Sequence, residues 1–321
     1  MKILYALANH PQLSEAYVES EIRFAEKSGV ECAVWSERPP GAPYPVSRKI
    51  YTGTLEDTER DFAPDIVHFH WLTLAEKHIN KVKSPVTVRG HSFDFQAQRI
   101  QTLINNDKVR ALFLFPHQAI AKSAKIIPLK VGFDSTRYSL TPNKDRKQVI
   151  RACAARPMKG LDDYIKISKL CPDFTFNLCV AQVYGDNAFI PKLIKEAEGS
   201  GVVVRPNVQP DEMAALTKSA SICLHTLDLP QSVGMCISVA ESMGCGNYSL
   251  VRDVTPLKEM VNGVGQTYMT NEEAAKLIND TKSWHTAKWD EINKITASKA
   301  LEYADFNVFP TLINYWKSIC G

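Results

Sequence analysis

The sequence predicts an α/β protein made of two doubly wound domains. Strand-like apolar runs alternate with helix-like segments over residues 1–70, which is typical of α/β folds. The chain has 321 residues, too many for one typical domain and suited to two. A polar segment with one proline, Ser139–Lys147, separates two such series of elements, so we place a domain boundary near residue 140.

The first predicted domain, residues 1–140, opens on the apolar strand Lys2–Leu7. Ser14 is the predicted N-cap of a helix that carries Val18 and Ile22 on one face and ends at Gly29. Further strands are predicted at Val30–Trp35, Asp65–His70, Pro85–Arg89, Ala111–Phe115 and Lys125–Leu129. Ligands gather at the carboxyl ends of parallel strands. The candidates at such ends are His10, His70, Trp71, Arg89 and His91.

The second predicted domain covers residues 141–303. Its strands are predicted at Gln148–Ala154, Phe174–Val180, Val202–Val204, Ser221–His225 and Tyr248–Arg252. Helices are predicted at Lys192–Glu198, Met213–Ala220, Glu272–Asp280 and Asp290–Tyr303. The last segment, Ala304–Ile319, has apolar residues at helical spacing, and we treat residues 304–321 as a separate terminal helix.

Composition narrows the class of protein. Hydrophobic residues make up 45% and charged residues 23%, as in ordinary globular proteins, and the net charge is only +3. The eight cysteines form no CxxC pair, which favours reduced thiols over disulfides or a metal site. His68 and His70 alternate along a strand, and we favour ordinary strand residues over metal ligands.

The chain shows no signal peptide and no apolar run near the roughly 18 residues of a membrane span. We therefore expect a cytoplasmic protein, and leave peripheral contact with a membrane open. No GxGxxG pattern follows the first strand, which argues against a nicotinamide dehydrogenase. The P-loop and GxSxG patterns of NTPases and α/β-hydrolases are also missing from the sequence.

The stretch Leu227–Gly246, LDLPQSVGMCISVAESMGCG, has the pattern of a phosphate site. A polar loop reaches Gly234 and leads into a helix-like segment that ends at Gly244 and Gly246. The unpaired amides and dipole of such a helix start, at Gly234, Met235 and Cys236, suit a phosphate. A carboxylate two turns later, Glu241, is better placed to accept hydrogen bonds from hydroxyls. Together they predict a nucleotide pocket, although a solvent-facing Glu241 stays an alternative.

A second cationic element lies earlier in the same domain. Arg156 and Lys159 fall on a short turn between a predicted strand and a predicted helix. An Arg and a Lys there can bind a diphosphate, the Arg through its planar fork and the Lys as a point charge. Such pairs are usually solvated surface charges when they occur alone. The helix start at Gly234 and Glu241 favour the binding role.

Several segments resemble the retaining GT-B glycosyltransferases of glycosyltransferase family 4. The run Glu241-Ser242-Met243-Gly244-Cys245-Gly246 is similar to the second half of the carboxyl-domain signature, whose Glu holds the donor ribose. The signature's first Glu falls at Val233, or at Gln231 after a two-residue shift, so the resemblance implies a changed donor-sugar contact there. The Arg156–Gly160 turn resembles the family's diphosphate-binding turn but is two residues shorter.

Other segments resemble the exopolysaccharide-building branch of that family. They are Pro11 with Ser14–Val18 and Glu21-Ile22, and the run Gly90–Asp94. Val131–Tyr138 resembles the segment that leaves the first domain in the family as a whole. The resemblance makes His91 a cleft histidine beside the reacting sugar. It also places Asn207 and Val208 in the loop that faces the nucleobase, where main chain does most of the recognition. Uridine and guanosine therefore stay open.

The resemblance implies two Rossmann-like domains facing across a cleft, with the terminal helix crossing back to the first. It implies transfer of a sugar, with retention, from a nucleoside diphosphate sugar to a saccharide, lipid-linked or other hydroxyl acceptor, without a metal or further cofactor. Two alternatives stay open. One is a GT-B enzyme whose acceptor is a modified nucleic-acid base, and the other is a non-catalytic protein that binds nucleotide sugars.

Overall fold

A computed structural model describes residues 1–91, 94–119, 121–185, 188–228 and 234–321. The chain divides into two compact units. The first contains Met1–Gly132, Gly234 with Met235, and Asp305–Gly321, and the second contains Phe133 to Asp228 and Cys236 to Ala304. The predicted domain limits at residues 140 and 303 stay predictions.

The first unit is built on a parallel sheet. Its elements are β1 (Lys2–Asn9), α1 (Ala16–Lys27), β2 (Glu31–Arg38), β3 (Ile50–Tyr51), α2 (Leu55–Phe62), β4 (Ile66–His70), α3 (Leu72–His78), β5 (Val86–Arg89), α4 (Ala97–Ile104), β6 (Val109–Leu114) and β7 (Ile126–Pro128). Over the described residues the strand order is β3-β2-β1-β4-β5-β6-β7. Strand β1 pairs in parallel with both β2 and β4.

Strand β1 reads as a continuous apolar run because both faces of the sheet are covered. Leu4 and Ala6 pack with Phe69 and Val88 on one face. Ile3, Tyr5 and Leu7 pack on the opposite face, together with apolar side chains of α1. Such double coverage is the rule for parallel sheets.

The second unit has its own parallel sheet. Its elements are β8 (Asp145–Ala154), α5 (Leu161–Lys169), β9 (Thr175–Ala181), α6 (Phe189–Ala197), β10 (Val202–Pro206), α7 (Pro210–Ser219), β11 (Ala220–His225), α8 (Ile237–Gly244), β12 (Tyr248–Arg252), α9 (Leu257–Val261), β13 (Gln266–Tyr268), α10 (Asn271–Asp280) and α11 (Thr286–Ala300). In the described part of the chain the strand order is β10-β9-β8-β11-β12-β13. The two parallel sheets with their helices confirm the predicted α/β class.

The terminal helix α12 (Asp305–Cys320) packs within the first unit. Its apolar face, Val308, Phe309, Leu312, Ile313 and Trp316, joins the core on the α1 side of the sheet. Gly132 lies against the ring of Phe309, and a Cβ at this glycine would come within 2.5 Å of the ring. Residue 132 therefore has to be a glycine for α12 to pack this closely against it.

Each sheet has a switch point, where the chain builds strands first to one side and then to the other. It lies between β1 and β4 in the first sheet and between β8 and β11 in the second. Loops that leave neighbouring strands on opposite sides diverge there and leave a crevice, the usual ligand site of such sheets. The fold thus indicates the ends of β8 and β11 as the place to look first.

The predicted elements differ from the observed ones in a few places. Ser14 is not a helix N-cap, because it lies inside the short 3₁₀ turn Leu13–Glu15 and α1 begins only at Ala16. Strand β8 starts at Asp145, inside the segment predicted as a linker. All eight cysteines are unpaired thiols.

Among the described residues, no helix has the length and apolar character needed to cross a membrane.

Candidate functional site

Two loops meet at the switch point of the second sheet. One follows β8 and contains Arg156 and Lys159, both half-buried, and the other follows β11. The Thr226 hydroxyl donates to the carbonyl oxygen of Lys159 at 3.0 Å. The Asp228 amide donates to the carbonyl oxygen of Met158 at 3.3 Å. The cationic turn is therefore held in place by the neighbouring loop.

Gly160 explains why the two loops can approach so closely. It has φ +60° and forms the C-terminal end of the 3₁₀ turn Pro157–Lys159. A Cβ at this position would come within 2.9 Å of the Leu227 nitrogen. Both the left-handed backbone and the contact exclude a side chain. The Lys-Gly pair in the sequence is thus explained by packing as well as by chemistry.

Helix α8 begins where the sequence predicts a phosphate site. Cys236 is its N-cap residue, with extended backbone, and its carbonyl oxygen accepts from the amides of Val239 and Ala240 at 3.2 Å. Gly234 and Met235 precede it and are half-buried. The first amides of an α-helix have no partner within the helix, so this end suits an anion.

A buried cationic group lies beside this helix start. Arg151 on β8 is 1% exposed, and its Nη2 donates to the carbonyl oxygen of Thr226 at 3.0 Å. The Nε of Arg151 and the Nδ1 of the buried His225 have no hydrogen-bond partner among the described residues. Burial raises the pKa of the Cys236 thiol, but His225 and Arg151 outweigh it and hold that pKa well below its usual range.

Neither Arg151 nor His225 was predicted from the sequence as a site residue. Both lie within strands that read as ordinary core. A charged residue inside the apolar part of β8, Val149–Ala154, is the signal that would have drawn attention to Arg151. For His225 the position at the end of a strand is the corresponding signal.

Glu241 is the fifth residue of α8, one turn from its start and not the two turns predicted, and it is half-buried. No hydrogen bond to its carboxylate is found within the described ranges, so its oxygens are available to a ligand. Burial, with the nearby Cys236 thiolate second, raises the pKa of Glu241 to about 8. A hydroxyl-rich ligand would restore the hydrogen bonds that this carboxyl group lacks.

The raised pKa of Glu241 predicts how stability changes with pH. Above pH 4.5 the unfolded state ionises this group while the folded state keeps it protonated, so stability falls as the pH rises through about 8. We expect the stability of Glu241→Gln relative to wild type to increase by about 1–2 kcal/mol between pH 5 and pH 7. Urea unfolding at both pH values measures this difference. For the exposed control Glu196→Gln, the stability relative to wild type should be the same at both pH values. The same result for Glu241→Gln would contradict the prediction.

The predicted nucleobase loop lies at the ends of β9 and β10. Asn207 has φ +53°, its amide donates to the Val180 carbonyl oxygen at 2.8 Å, and its Oδ1 accepts from the Gln182 amide at 2.8 Å. Val208 is half-buried against Ile150 and Cys179. Asn207 thus ties the two loops together, and its contact with a base stays a prediction.

Gln231 and Val233, the predicted donor-sugar positions, lie outside the described residues. The changed sugar contact at these two positions therefore stays a prediction.

His91 lies in the first unit, in a buried polar cluster. Its Nε2 is 3.2 Å from Nδ1 of His70, and its Nδ1 is 3.2 Å from the Tyr17 hydroxyl. The ring of Trp71, a residue with the unusual φ of +80°, lies 4.1 Å from it. Burial lowers the pKa of His91 well below its usual range, so the ring is neutral. A sugar hydroxyl would reach either nitrogen only by replacing one of these two contacts.

The same cluster contains a carboxylate and two imidazoles, which are residue types that bind metals. Ligand atoms of Glu21, His68 and His70 lie within 4.8 Å of one another. However, Nη1 of Arg89 is 3.0 Å from the Glu21 carboxylate, and both residues are buried. This guanidinium already balances the single negative charge, so a divalent cation would add uncompensated charge to a buried site. The arrangement therefore favours hydrogen bonding over metal binding.

The sequence matches no known family model and no curated protein. Its fold matches solved structures over almost the whole chain. Sucrose-phosphate synthase from Thermosynechococcus elongatus has a TM-score of 0.77 at 10% identity, covering 99% of both chains. HepE from Anabaena, in complex with UDP and glucose, has a TM-score of 0.76 at 16% identity, covering 99% of this chain and 100% of HepE.

A trehalose-6-phosphate synthase described in terms of glycosyl transfer with retention has a TM-score of 0.70 at 10% identity, covering 98% of this chain and 99% of that one. At these identities the likeness is one of fold. The chain has the GT-B fold of glycosyltransferases, as predicted.

Proposed function

We propose that the protein is a glycosyltransferase that moves a sugar from a nucleoside diphosphate sugar to a hydroxyl acceptor, with retention. The observation that carries the proposal is the site at the β8–β11 switch point. There Arg156, Lys159 and the start of α8 offer positive charge, and Glu241 offers a carboxyl group without a hydrogen-bond partner among the described residues. Diphosphate donors and a hydroxyl acceptor together describe a nucleotide sugar. The fold is consistent with this use.

Each group of the site has a role in the proposed reaction. The bond from the sugar to the β-phosphate oxygen breaks, and negative charge develops on the leaving diphosphate. Arg156, Lys159 and the α8 amides would stabilise that charge, which is the usual largest contribution to such catalysis. These groups supply enough positive charge that we propose no metal requirement. Arg151 would add long-range positive potential from below the site.

Glu241 would hold the ribose, and Asn207 and Val208 would face the base. HepE binds UDP and UDP-glucose, so we choose UDP-glucose as the first donor to test. In the first unit the neutral His91 would accept or orient a sugar hydroxyl. A saccharide or lipid-linked hydroxyl is the proposed acceptor, with a role in polysaccharide or glycoconjugate synthesis in the cytoplasm.

One feature of the sequence favours a second function. Val233 stands where the resemblance places the first signature Glu, and an apolar side chain cannot hydrogen-bond a sugar. A non-catalytic protein that binds nucleotide sugars would tolerate this change. Turnover of the donor separates the two functions.

The test is release of nucleoside diphosphate from UDP-, GDP- and ADP-sugars, with binding followed by thermal shift. We expect one nucleotide class to raise the melting temperature and its sugar to be slowly hydrolysed. Glu241→Ala should weaken donor affinity and slow donor hydrolysis at least tenfold. Glu196→Ala only breaks a surface pair with Lys192 at 3.6 Å and should change neither.

The remaining outcomes decide between the alternatives. Donor binding without hydrolysis, with or without added acceptors, would select the binding protein. Hydrolysis that stops when a divalent metal is chelated would overturn the metal-independent mechanism. A protein that no nucleotide stabilises would overturn the proposed function altogether.

A further inference from the structure

The buried cluster around Glu21 has a charge balance that fixes where its protons are. Glu21 on α1 and Arg89 on β5 are both buried and 3.0 Å apart. Burial alone would raise the pKa of Glu21, but Arg89 and the nearby His70 and His68 hold it well below its usual range. The carboxylate and guanidinium charges therefore cancel. A proton added to a histidine of the cluster would leave a buried positive charge without a partner, which is unfavourable.

The Glu21–Arg89 pair leaves no counter-charge for a further proton in this cluster, which favours neutral rings. Among the described residues, Asp94 and Tyr17 also face His91. Burial lowers the pKa of His68 to about 4. Asp94, which accepts from the His91 amide at 2.9 Å, has its pKa raised by burial to about 6. Tyr17 on α1 has its pKa raised by burial well above its usual range, so it keeps its proton. The uncharged rings of Phe115 and Trp71 also contact His91.

With neutral rings, the direction of each hydrogen bond follows from Glu21. An ionised carboxylate only accepts, so Nε2 of His70, 3.1 Å from the Glu21 oxygen, must carry the proton. Its Nδ1 is then an acceptor, and the facing Nε2 of His91 must donate. This leaves Nδ1 of His91 as an acceptor for the Tyr17 hydroxyl.

The cluster has a second arm, which runs from Trp316 through Thr87 to His68. Its protons are assigned in the same way, from groups that can only donate or only accept. Trp316 Nε1 only donates, and it donates to the Thr87 hydroxyl at 3.1 Å. The single Thr87 proton is then available to Nδ1 of His68 at 2.8 Å. The Nε2–H of His68 therefore faces Glu21, at 3.5 Å. One protonation state suits both arms: Glu21 accepts from His70, and it faces the Nε2 of His68 at 3.5 Å without a hydrogen bond.

We propose that Glu21 is a positioning residue that holds His91, through His70, as the neutral Nε2–H tautomer with its Nδ1 lone pair on the Tyr17 hydroxyl. The importance of this for chemistry rests on the proposed function, in which His91 meets a sugar hydroxyl. In that reaction Nδ1 of His91 would accept a hydrogen bond from the sugar hydroxyl once the Tyr17 hydroxyl has moved away from it. The tautomer itself is a property of the free protein.

The test is nitrogen NMR of the full chain labelled at histidine, recorded without donor between pH 5.5 and 8. The chain has eight histidines, and His91→Phe and His70→Phe spectra assign the two signals. We expect His91 in wild type to be Nε2–H and not to titrate over this range.

Glu21→Gln should reverse the chain of hydrogen bonds. Arg89 only donates, so it takes the new carbonyl oxygen and leaves the amide NH₂ facing His70. His70 Nε2 must then accept, and His91 should change to the Nδ1–H tautomer. If Glu21→Gln does not fold because of its unpaired Arg89, His70→Phe tests the same link, since it keeps the Glu21–Arg89 pair. It should leave His91 as a mixture of tautomers.

Glu19→Gln is the matched control. Glu19 is also a buried carboxylate on α1 and pairs with Arg23 at 2.8 Å and with Arg48, but it makes no contact with His70 or His91 in the described structure. His91 should remain Nε2–H in this variant.

Three results would overturn the inference. They are a wild-type His91 that is Nδ1–H or protonated, a His91 that stays purely Nε2–H in both test variants, and one equivalent of metal bound to the purified protein through His68 and His70. None of these measurements uses turnover. A correct tautomer in an inactive protein would count against the proposed function only, and an active enzyme with the other tautomer against this inference only.

Discussion

Arg156→Ala is expected to lower kcat/KM for the donor by about 10²–10³-fold, the usual loss when one charge-stabilising donor is removed. In the proposed reaction, the leaving diphosphate would gain negative charge beside the turn that contains Arg156. Thr226 and Asp228 donate to backbone carbonyls of that turn, and Gly160 allows the close approach. Because the backbone of the turn is held before charge develops, the loss should fall mainly on kcat.

Donor hydrolysis measures the effect on kcat, and the donor-induced thermal shift measures the effect on donor binding. Arg156→Lys keeps the charge but not the planar fork, and should recover only part of the loss. Lys166→Ala is the control, because Lys166 on α5 is exposed and pairs with Asp162 at 3.1 Å. Unchanged hydrolysis in Arg156→Ala, or an equal fall in the control, would remove Arg156 from the diphosphate site.

Trp316→Ala is expected to lower the stability of the first unit by about 3–5 kcal/mol, as for other buried Trp or Phe truncations. Trp316 is fully buried, and its ring lies 5.9 Å from Tyr5 and 5.1 Å from His68. Its removal leaves a cavity in the core of the sheet. It also removes the donor to Thr87 and so disturbs the arm of the cluster that ends at His68.

Hydrogen exchange of the β1 and β4 amides in the full chain measures this loss locally, which is needed because a chain of two units need not unfold in one step. Phe306→Ala is the control on the same helix, since Phe306 is 50% exposed. Its effect should be below about 1 kcal/mol. Equal, small effects for both variants would show that α12 contributes little to the first unit.

The sequence was sufficient for features encoded within a few neighbouring residues. The alternation of strands and helices predicted an α/β fold with two parallel sheets. The residues after Gly234 predicted a helix that contains Glu241, although α8 starts only at Ile237 and Glu241 therefore lies one turn into it and not two. The turn with Arg156 and Lys159 was also evident, because its cations and its glycine are adjacent in the chain. Such patterns reflect backbone geometry that local sequence largely decides.

Ser14 shows the limit of local patterns even at short range. It has the composition of an N-cap, but the preceding 3₁₀ turn moves the helix start to Ala16. The observed start of β8 differs from the predicted start for a related reason. Its first residues are polar and became a strand through pairing with β11, in which Asp145 lies opposite Ala220.

What the tertiary structure alone decided is which distant side chains share a site. Arg151 and His225 come together because β8 and β11 are neighbours, although the two residues are 74 positions apart in the chain. Glu21 reaches His70 across 49 positions, and His70 reaches His91 across 21. A histidine identified by its motif was thus placed in a hydrogen-bonded cluster that no motif describes. The physical reason is that local spacing fixes backbone conformation, whereas the order of strands in a sheet depends on packing over the whole chain.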